Sequence, residues 1–383
     1  MHVWSEYIDL LVYRTGARVW LRGGDLYGPI PRVNGMGLPF TYPPLSAVLF
    51  APLALLPVGA AECLVLLCSM ACLAVTLWLV SIRIRPAMDP RTRAIGLVAV
   101  VAVLGLSEPV RETYAFGQIN LVLMLAVTLD TLVRKPFWPR GLLIGIAVSV
   151  KLIPAAYLLY FLIRRDWRTC GTIVASAGGA IGLGFVLLPR DSREYWLHTM
   201  FETDRIGPPQ YAGNQSLKAF AFRLGFGDTA GTVIWIVLAA IAIGLAAVVM
   251  KRLLDQGHEV AALMVNAAAV LLASPVSWSH HWVWIGPALL VGAAAIAELP
   301  GAGAAADAAR RRRFWIAIYL LVLTVFMLGP QWTLPFRGNR EMGWALWEQI
   351  VGSTYVLVTF AALVIAVVGY RPAGSRKAAS AAE

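Results

Sequence analysis

Long apolar runs separated by short polar segments dominate this chain. Five runs reach or approach the length of a membrane span, at residues 59–82, 117–133, 169–188, 231–250 and 347–369. Four more are shorter or broken by proline, at residues 94–107, 258–275, 283–298 and 314–330. A helix of about 20 apolar residues crosses a bilayer and satisfies its own backbone hydrogen bonds. The pattern therefore predicts an all-α fold, a polytopic transmembrane helical bundle with about nine crossings.

Composition supports the same class of protein. The chain is 59% hydrophobic and 14% charged, with a mean hydropathy of +0.71, whereas soluble domains are about 25% charged. We predict one integral membrane domain over residues 1–383. Within it, residues 1–58 form a loop with short helices, residues 59–369 form the bundle and residues 370–383 form a tail.

The distribution of basic residues orients the predicted bundle. The formal net charge is +11, and most lysines and arginines lie in loops that alternate crossings place on one side. By the positive-inside rule, that side is the cytosol. The rule places residues 1–58 outside the cytosol and the tail inside it. Topology thus accounts for most of the basicity, and no nucleic-acid partner is predicted.

One apolar segment must bend for this topology to hold. The basic sequences "RKPFWPR" (134–140) and "RRDWR" (164–168) are separated by a single apolar stretch, 141–163. We predict that this stretch is a bent or re-entrant hairpin, broken around "KLIP" with Lys151 near its tip. A plain crossing with one badly oriented loop is the alternative.

The first residues raise a second topological question. Residues 1–40 contain no apolar run of signal-peptide or transmembrane length, yet the charge pattern places them outside the cytosol. We therefore expect a further transmembrane helix ahead of residue 1 in the complete protein.

Several polar residues fall on the predicted extracytoplasmic side. They lie in separate segments and comprise Asp9, Arg14, Glu108, Arg111, Gln118, Asn214, Gln215, Lys218, His280, His281 and Arg337. Ionisable groups at membrane depth are costly, and their joint placement on one side indicates a functional site. Structural alternatives exist for each: Asp9 could cap a helix, Gln118 and Asn120 could tie helices together, and the histidines could anchor the interface.

The same segments resemble a known family. The sequences are "IDLLVYRTGARVWLRGGDLY", "LPFTYPPLSAVLFAPLALLP", "EPVRETYAFGQINLVLMLAVTLD", "GIAVSVKLIPAAYLLYFLIRRDWR", "GNQSLKAF" and "SPVSWSHHWVW". Together and in this order they resemble glycosyltransferase family 87, the polyprenyl-phosphomannose-dependent α-1,2-mannosyltransferases of the GT-C fold. The family has a transmembrane helix before its first extracytoplasmic loop, which this sequence does not show.

The resemblance implies an activity and a site. It implies mannose transfer from polyprenyl phosphomannose to the 2-OH of a mannosylated glycolipid or lipoglycan. The transfer would take place on the extracytoplasmic face of the cell membrane. Asp9 matches the family's loop aspartate and would be the catalytic base. The candidates for holding phosphate are Arg14, Arg111, Lys151, His280 and His281. Gln118, Asn120, Asn214 and Gln215 suit sugar hydroxyls or the fixing of loops.

Other readings of the residues stay open. A lipid or glycolipid transporter would also be polytopic, although it would be expected to show inverted repeats and polar groups near the membrane midplane. A non-catalytic scaffold would have no need of Asp9. The histidines are adjacent and the outside acids form no Asp-x-Asp cluster, so neither a metal site nor a cofactor is predicted. The acceptor, and mannose rather than arabinose as the donor sugar, are not fixed by sequence.

Overall fold

The computed structural model describes residues 7–300 and 306–369, and their regular structure is helical. The predicted tail at 370–383 lies outside these residues. In this described part of the chain, seventeen α-helices run in order: α1 Ile8–Leu21, α2 Pro44–Leu55, α3 Val58–Ile84, α4 Pro90–Gly105, α5 Glu108–Phe116, α6 Asn120–Leu132, α7 Leu142–Val148, α8 Leu158–Arg164, α9 Trp167–Leu187, α10 Pro189–Leu197, α11 Leu217–Arg223, α12 Asp228–Asp255, α13 Glu259–Ala273, α14 Ile285–Ala297, α15 Ala306–Leu328, α16 Leu346–Gly352 and α17 Thr354–Val368.

Short 3-10 helices complete several connections. They span Ile153–Tyr157, Thr199–Phe201, Thr203–Ile206, Ser279–Trp284, Pro330–Thr333 and Arg340–Gly343. The all-α prediction is confirmed for the described residues, and each of the nine predicted apolar runs contains an α-helix.

Fewer helices than the nine predicted crossings have the length and hydropathy of a membrane span among the described residues. Among the described residues, four helices are long and apolar enough to span a bilayer, or six if each of two bent pairs is one span. The bent pairs are α4 with α5, at 75°, and α16 with α17, at 77°. Helices α6 and α13 have 13 and 15 residues, which at about 1.5 Å per residue is short of a hydrocarbon core about 30 Å thick. The count of nine crossings is therefore not confirmed.

The segment 141–163 is broken where the sequence indicated. Helix α7 ends at Val148, and the chain resumes as a 3-10 helix at Ile153, so Lys151 lies in the break. A Cβ added at Gly141 would lie 2.8 Å from the Thr169 carbonyl oxygen, at the start of α9. Helix α8 also ends just before α9. Both ends of the segment therefore meet at one end of α9, as a hairpin requires.

The N-terminal region has its own aromatic core beside the main core of the bundle. Helix α1 packs along α2, and the Tyr13 ring stacks on the Phe50 ring at 4.3 Å between centroids. Gly16 allows α1 to approach the Phe40 ring, because a Cβ there would lie 2.3 Å from it. The bundle core is formed mainly by α3, α6, α12 and α13. The candidate site lies where these two cores meet.

Candidate active site

A cavity of about 850 Å³ lies between the N-terminal helices and the bundle. Its polar lining includes Asp9, Gln118, Lys151, His280 and His281. Much of the remaining wall is apolar and comes from α8, α12 and α13, for example Leu159, Ile243 and Val270. The structure thus brings five of the ten predicted site residues to one cavity.

Asp9 enters the cavity from the first turn of α1, where a carboxylate is favoured by the helix dipole. Protein surrounds the side chain, and this desolvation raises the pKa of Asp9 to about 6. A hydrogen bond from Gln118 and the nearby positive charge of Lys151 act in the opposite direction. A carboxyl group with this pKa is ionised near neutral pH and can accept a proton.

Lys151 lies at the break between α7 and the 3-10 helix that begins at Ile153. Its Nζ donates to Asn120 Oδ1 at 3.0 Å and lies 3.1 Å from His281 Nε2. An ammonium group has three N–H donors. With two acceptors bound among the described residues, the third donor is available to a ligand in the cavity.

His280 and His281 lie on the 3-10 helix Ser279–Trp284 and are 7% and 8% exposed. Because an ammonium group donates and does not accept, His281 Nε2 accepts from Lys151, and Nδ1 carries the imidazole proton. Neither His281 Nδ1 nor His280 Nε2 has a partner among the described residues. Unpaired buried polar atoms are costly, so these nitrogens indicate a site that a ligand completes.

Asn120 and Thr113 hold the backbone of the histidine segment. Asn120 Nδ2 donates to the His280 carbonyl oxygen at 2.9 Å, and Thr113 Oγ1 donates to the same oxygen at 3.0 Å. Since Asn120 Oδ1 accepts from Lys151, one amide connects the ammonium group to the histidine segment. Asn120 itself borders a smaller cavity beside the main one.

Asn214 and Gln215 support the same segment from the other side. Asn214 pairs with Trp278 in an isolated bridge, and its Oδ1 accepts from the Ser277 backbone N–H at 3.0 Å. The Gln215 backbone N–H donates to the Ser277 carbonyl oxygen at 2.7 Å. Neither side chain lines the main cavity. Of the two roles expected for this pair, their position fits the fixing of loops.

The structure does not bring Arg14 or Arg111 to the cavity. Arg14 donates from Nη1 to the Leu53 carbonyl oxygen and from Nη2 to that of Leu56, at 2.9 Å. These carbonyls end α2, so Arg14 caps that helix. Arg111 pairs with Glu112 at 3.6 Å. Neither arginine is positioned to hold a phosphate in this cavity.

Two charged residues of the wall were not singled out from the sequence. Glu202 and Arg205 line the cavity; Arg205 Nη1 lies 3.5 Å from Glu202 Oε2, and Nη2 donates to the Tyr27 carbonyl oxygen at 2.9 Å. Glu202 lies between the 3-10 helices Thr199–Phe201 and Thr203–Ile206, and Arg205 lies in the second of them. This segment contains no recognisable motif. The charge of each side chain was its single sequence signal.

The described residues also bear on metal binding. Within residues 7–300 and 306–369, no three His, Cys, Asp or Glu side chains are grouped so that they could hold a metal ion. That the reaction needs no metal remains a prediction.

The arrangement combines three chemical capabilities. A carboxylate can accept a proton, and an ammonium group with the Nδ1–H of His281 beside it can bind an anion. The apolar wall can bind hydrocarbon. The cavity therefore suits an amphiphilic ligand with an anionic group and a hydroxyl-bearing partner.

Comparison with known proteins gives an independent result. The model of glycosyltransferase family 87 matches residues 40–275. A polyprenol-phosphate-mannose-dependent alpha-(1-2)-phosphatidylinositol mannoside mannosyltransferase of Mycobacterium tuberculosis is 40% identical, with 94% of this chain and 84% of the relative covered. Its counterpart in Mycolicibacterium smegmatis is 39% identical over 94% and 83%.

A relative with a different acceptor in its name has a lower sequence identity to this chain. A polyprenol-phosphate-mannose-dependent alpha-(1-2)-phosphatidylinositol pentamannoside mannosyltransferase of Mycobacterium tuberculosis is 32% identical, with 94% of this chain and 80% of the relative covered. All three relatives are enzymes, which favours the enzyme interpretation over a transporter.

Proposed function

The chain belongs to glycosyltransferase family 87, and we propose that it is an inverting α-1,2-mannosyltransferase with Asp9 as its base. The proposed donor is polyprenyl phosphomannose, and the proposed acceptor is the 2-OH of a mannosylated glycolipid of the phosphatidylinositol mannoside class. This donor and this acceptor are those of the two relatives at 40% and 39% identity. The proposed location of the site is the extracytoplasmic face of the cell membrane, where a lipid-carried donor replaces nucleotide sugars.

One observation carries this proposal: Asp9, Lys151 and the histidine pair border a single cavity whose other wall is largely apolar. A polyprenyl chain is hydrocarbon and is stabilised by burial against such a wall. Its phosphate carries the negative charge that an ammonium group and imidazole donors favour.

The proposed reaction is a single displacement at C1 of the donor mannose. The acceptor 2-OH oxygen attacks C1 while the bond from C1 to the phosphate oxygen breaks, and the bonding electrons leave with polyprenyl phosphate. Asp9 accepts the proton of the attacking hydroxyl. Attack opposite the leaving group turns a β-linked donor into an α-linked product, and one carboxylate suffices for this.

The leaving phosphate gains negative charge as the bond breaks. Lys151 Nζ and the Nδ1–H of His281 are donors whose positions are fixed by Asn120 and by each other. Pre-positioned donors stabilise developing charge more than they stabilise the ground state, which lowers the barrier. His280 Nε2 is a further unpaired nitrogen at the same wall.

Asp9→Asn tests the proposal. The amide has nearly the shape of the carboxylate but cannot act as base, so transfer from polyprenyl phosphomannose to a mannosylated phosphatidylinositol should fall about 10²- to 10⁴-fold. Donor binding should be largely retained, because the phosphate is held by other residues.

Asp25→Asn is the matched control. Asp25 Oδ1 accepts from the backbone N–H groups of Tyr27 and Gly28, each at 3.1 Å, and an asparagine oxygen can do the same. This variant should stay active. Normal turnover by Asp9→Asn would refute Asp9 as the base.

A further inference from the structure

We propose that Gln118 is a positioning residue for Asp9, and that the hydroxyls of Tyr13 and Tyr42 fix which end of the Gln118 amide faces the carboxylate. The proposal rests on the proposed function, in which Asp9 is the base. It assigns Gln118 a role different from sugar binding, because its Oε1 is already taken by protein donors and the proposal directs its NH₂ group to Asp9.

The three side chains form a closed hydrogen-bond group. Tyr13 Oη donates to Gln118 Oε1 at 2.9 Å, and Tyr42 Oη lies 3.5 Å from the same oxygen. The two hydroxyl oxygens lie 3.0 Å apart. Asp9 and Gln118 line the same cavity; with Oε1 occupied, the NH₂ group is the end of the Gln118 amide left to interact with the Asp9 carboxylate.

Counting hydroxyl protons shows why the amide has this orientation. The two tyrosines have two hydroxyl protons; one can lie between their oxygens, and the other needs an acceptor. Gln118 Oε1 is the side-chain acceptor that the described residues provide. A flipped amide would leave one buried hydroxyl proton without an acceptor and would turn an oxygen towards the carboxylate, and both changes are unfavourable.

Packing holds the group in place. Tyr13, Gln118 and Tyr42 are 0%, 3% and 7% exposed. The Tyr13 ring stacks on Phe50, and Tyr27 Oη donates to the Tyr42 carbonyl oxygen at 2.7 Å. Neither tyrosine can follow a reoriented amide without disturbing the aromatic core.

The expected effect is on the charge state and direction of Asp9. A donor aimed at a carboxylate favours its ionised form, which offsets part of the desolvation that raises the pKa of Asp9. In the proposed arrangement the Gln118 NH₂ group occupies one side of the carboxylate, which leaves the other side for the acceptor hydroxyl.

Other charged groups contribute to the titration of Asp9 and must be considered with it. Lys151 faces Asp9 and favours the ionised form, and the same cavity is also lined by His280, His281, Glu202 and Arg205. Helix α2, which packs along α1, has no titratable side chain. The titratable side chains of α5 do not line the cavity.

The test is the pH dependence of single-turnover mannose transfer by the full chain, with polyprenyl phosphomannose as donor. Gln118→Met keeps the side-chain length and removes the donor. The midpoint of the acid limb should rise by about one pH unit, since a hydrogen bond to a charged group contributes about that much. The double variant Tyr13→Phe, Tyr42→Phe keeps Gln118 and both rings, and it should reproduce most of the rise.

Tyr355→Phe is the control. It also removes a buried tyrosine hydroxyl, but this hydroxyl donates to Glu108 and not to Gln118. It should lower thermal stability without moving the midpoint. Unmoved midpoints in Gln118→Met and in the double variant, with Asp9→Asn inactive, would overturn this inference alone. An active Asp9→Asn would overturn the proposed function and the inference together.

Discussion

Asp9 and Glu108 are both carboxylates surrounded by protein, yet their surroundings differ. Asp9 borders a large cavity and has Gln118 as its hydrogen-bond donor. Glu108 is 0% exposed; its Oε1 accepts from Trp332 Nε1 at 2.6 Å, and its Oε2 accepts from the Tyr355 hydroxyl at 2.9 Å. Both Glu108 oxygens are occupied, and it lines none of the three described cavities.

Two cations, the buried Arg223 and the half-buried Lys151, differ in the same way. Arg223 donates to the Asn214 carbonyl oxygen at 3.2 Å and to Ser353 Oγ at 3.0 Å, and its guanidinium lies over the Trp344 ring. Lys151 instead keeps a donor for the cavity. Burial alone therefore does not identify a reactive group in this protein. A better indication of a reactive group is a hydrogen-bond donor or acceptor that has no protein partner and borders the cavity.

The strongest test of the comparison exchanges each carboxylate for its amide. Asp9→Asn should lose about 10²- to 10⁴-fold in transfer rate with little change in unfolding temperature. Glu108→Gln should lower the unfolding temperature and leave the transfer rate of the folded protein nearly unchanged. Trp332 and Tyr355 lose a carboxylate acceptor, which should cost about 1.5–3 kcal/mol of unfolding free energy. Transfer assays and thermal unfolding of both variants check this. A rate loss in folded Glu108→Gln as large as in Asp9→Asn would contradict the distinction.

The next effect concerns the cations. Lys151→Met should weaken binding of polyprenyl phosphomannose and slow transfer by about 10²- to 10³-fold, because a donor to the leaving phosphate is removed. Lys218→Met is the control, since Lys218 Nζ lies over the Phe222 and Trp235 rings rather than at the cavity. Equal losses in the two variants would show that general positive charge, not the position of Lys151, is what matters.

A smaller effect is expected from pH. The base form of Asp9 is the ionised form, so activity should rise with pH through about 6, the raised pKa of this group. Below that midpoint the rate should fall about tenfold per pH unit. Single-turnover rates under saturating donor check this. A midpoint near the ordinary aspartate value of about 3.9 would mean that Asp9 is more solvated in the working enzyme than its surroundings indicate.

Much of the helical framework could be predicted from the sequence, because apolar periodicity and length are local properties. The break at Lys151 followed from the charge on either side of 141–163. The predicted count of nine spans is not confirmed, since the number of spans depends on where helices end and bend. At α4 and α5 that bend lies at Leu106 and Ser107, directly before the helix that Pro109 helps to begin.

Part of the site was also predictable. Asp9, Gln118, Lys151, His280 and His281 were each named from the sequence, and the structure places them at one cavity. The orientation of the Gln118 amide was not predictable, because its Tyr13 partner is 105 residues away along the chain. The positions of Glu202 and Arg205 depend on how a motif-free turn packs against Tyr27.

The smallest effect on the transfer rate is expected at Arg14. The sequence predicted Arg14 as a phosphate ligand, whereas in the structure its guanidinium donates to two carbonyl oxygens at the end of α2. Arg14→Met keeps a similar length but cannot donate to Leu53 and Leu56. Leaving these carbonyls unpaired should cost about 1–3 kcal/mol of unfolding free energy, and the transfer rate of the folded variant should stay within about twofold of normal. Thermal unfolding and donor affinity, measured together, decide between the two roles. If donor affinity fell while stability was unchanged, Arg14 would be a ligand of the phosphate after all, and α2 would need another cap.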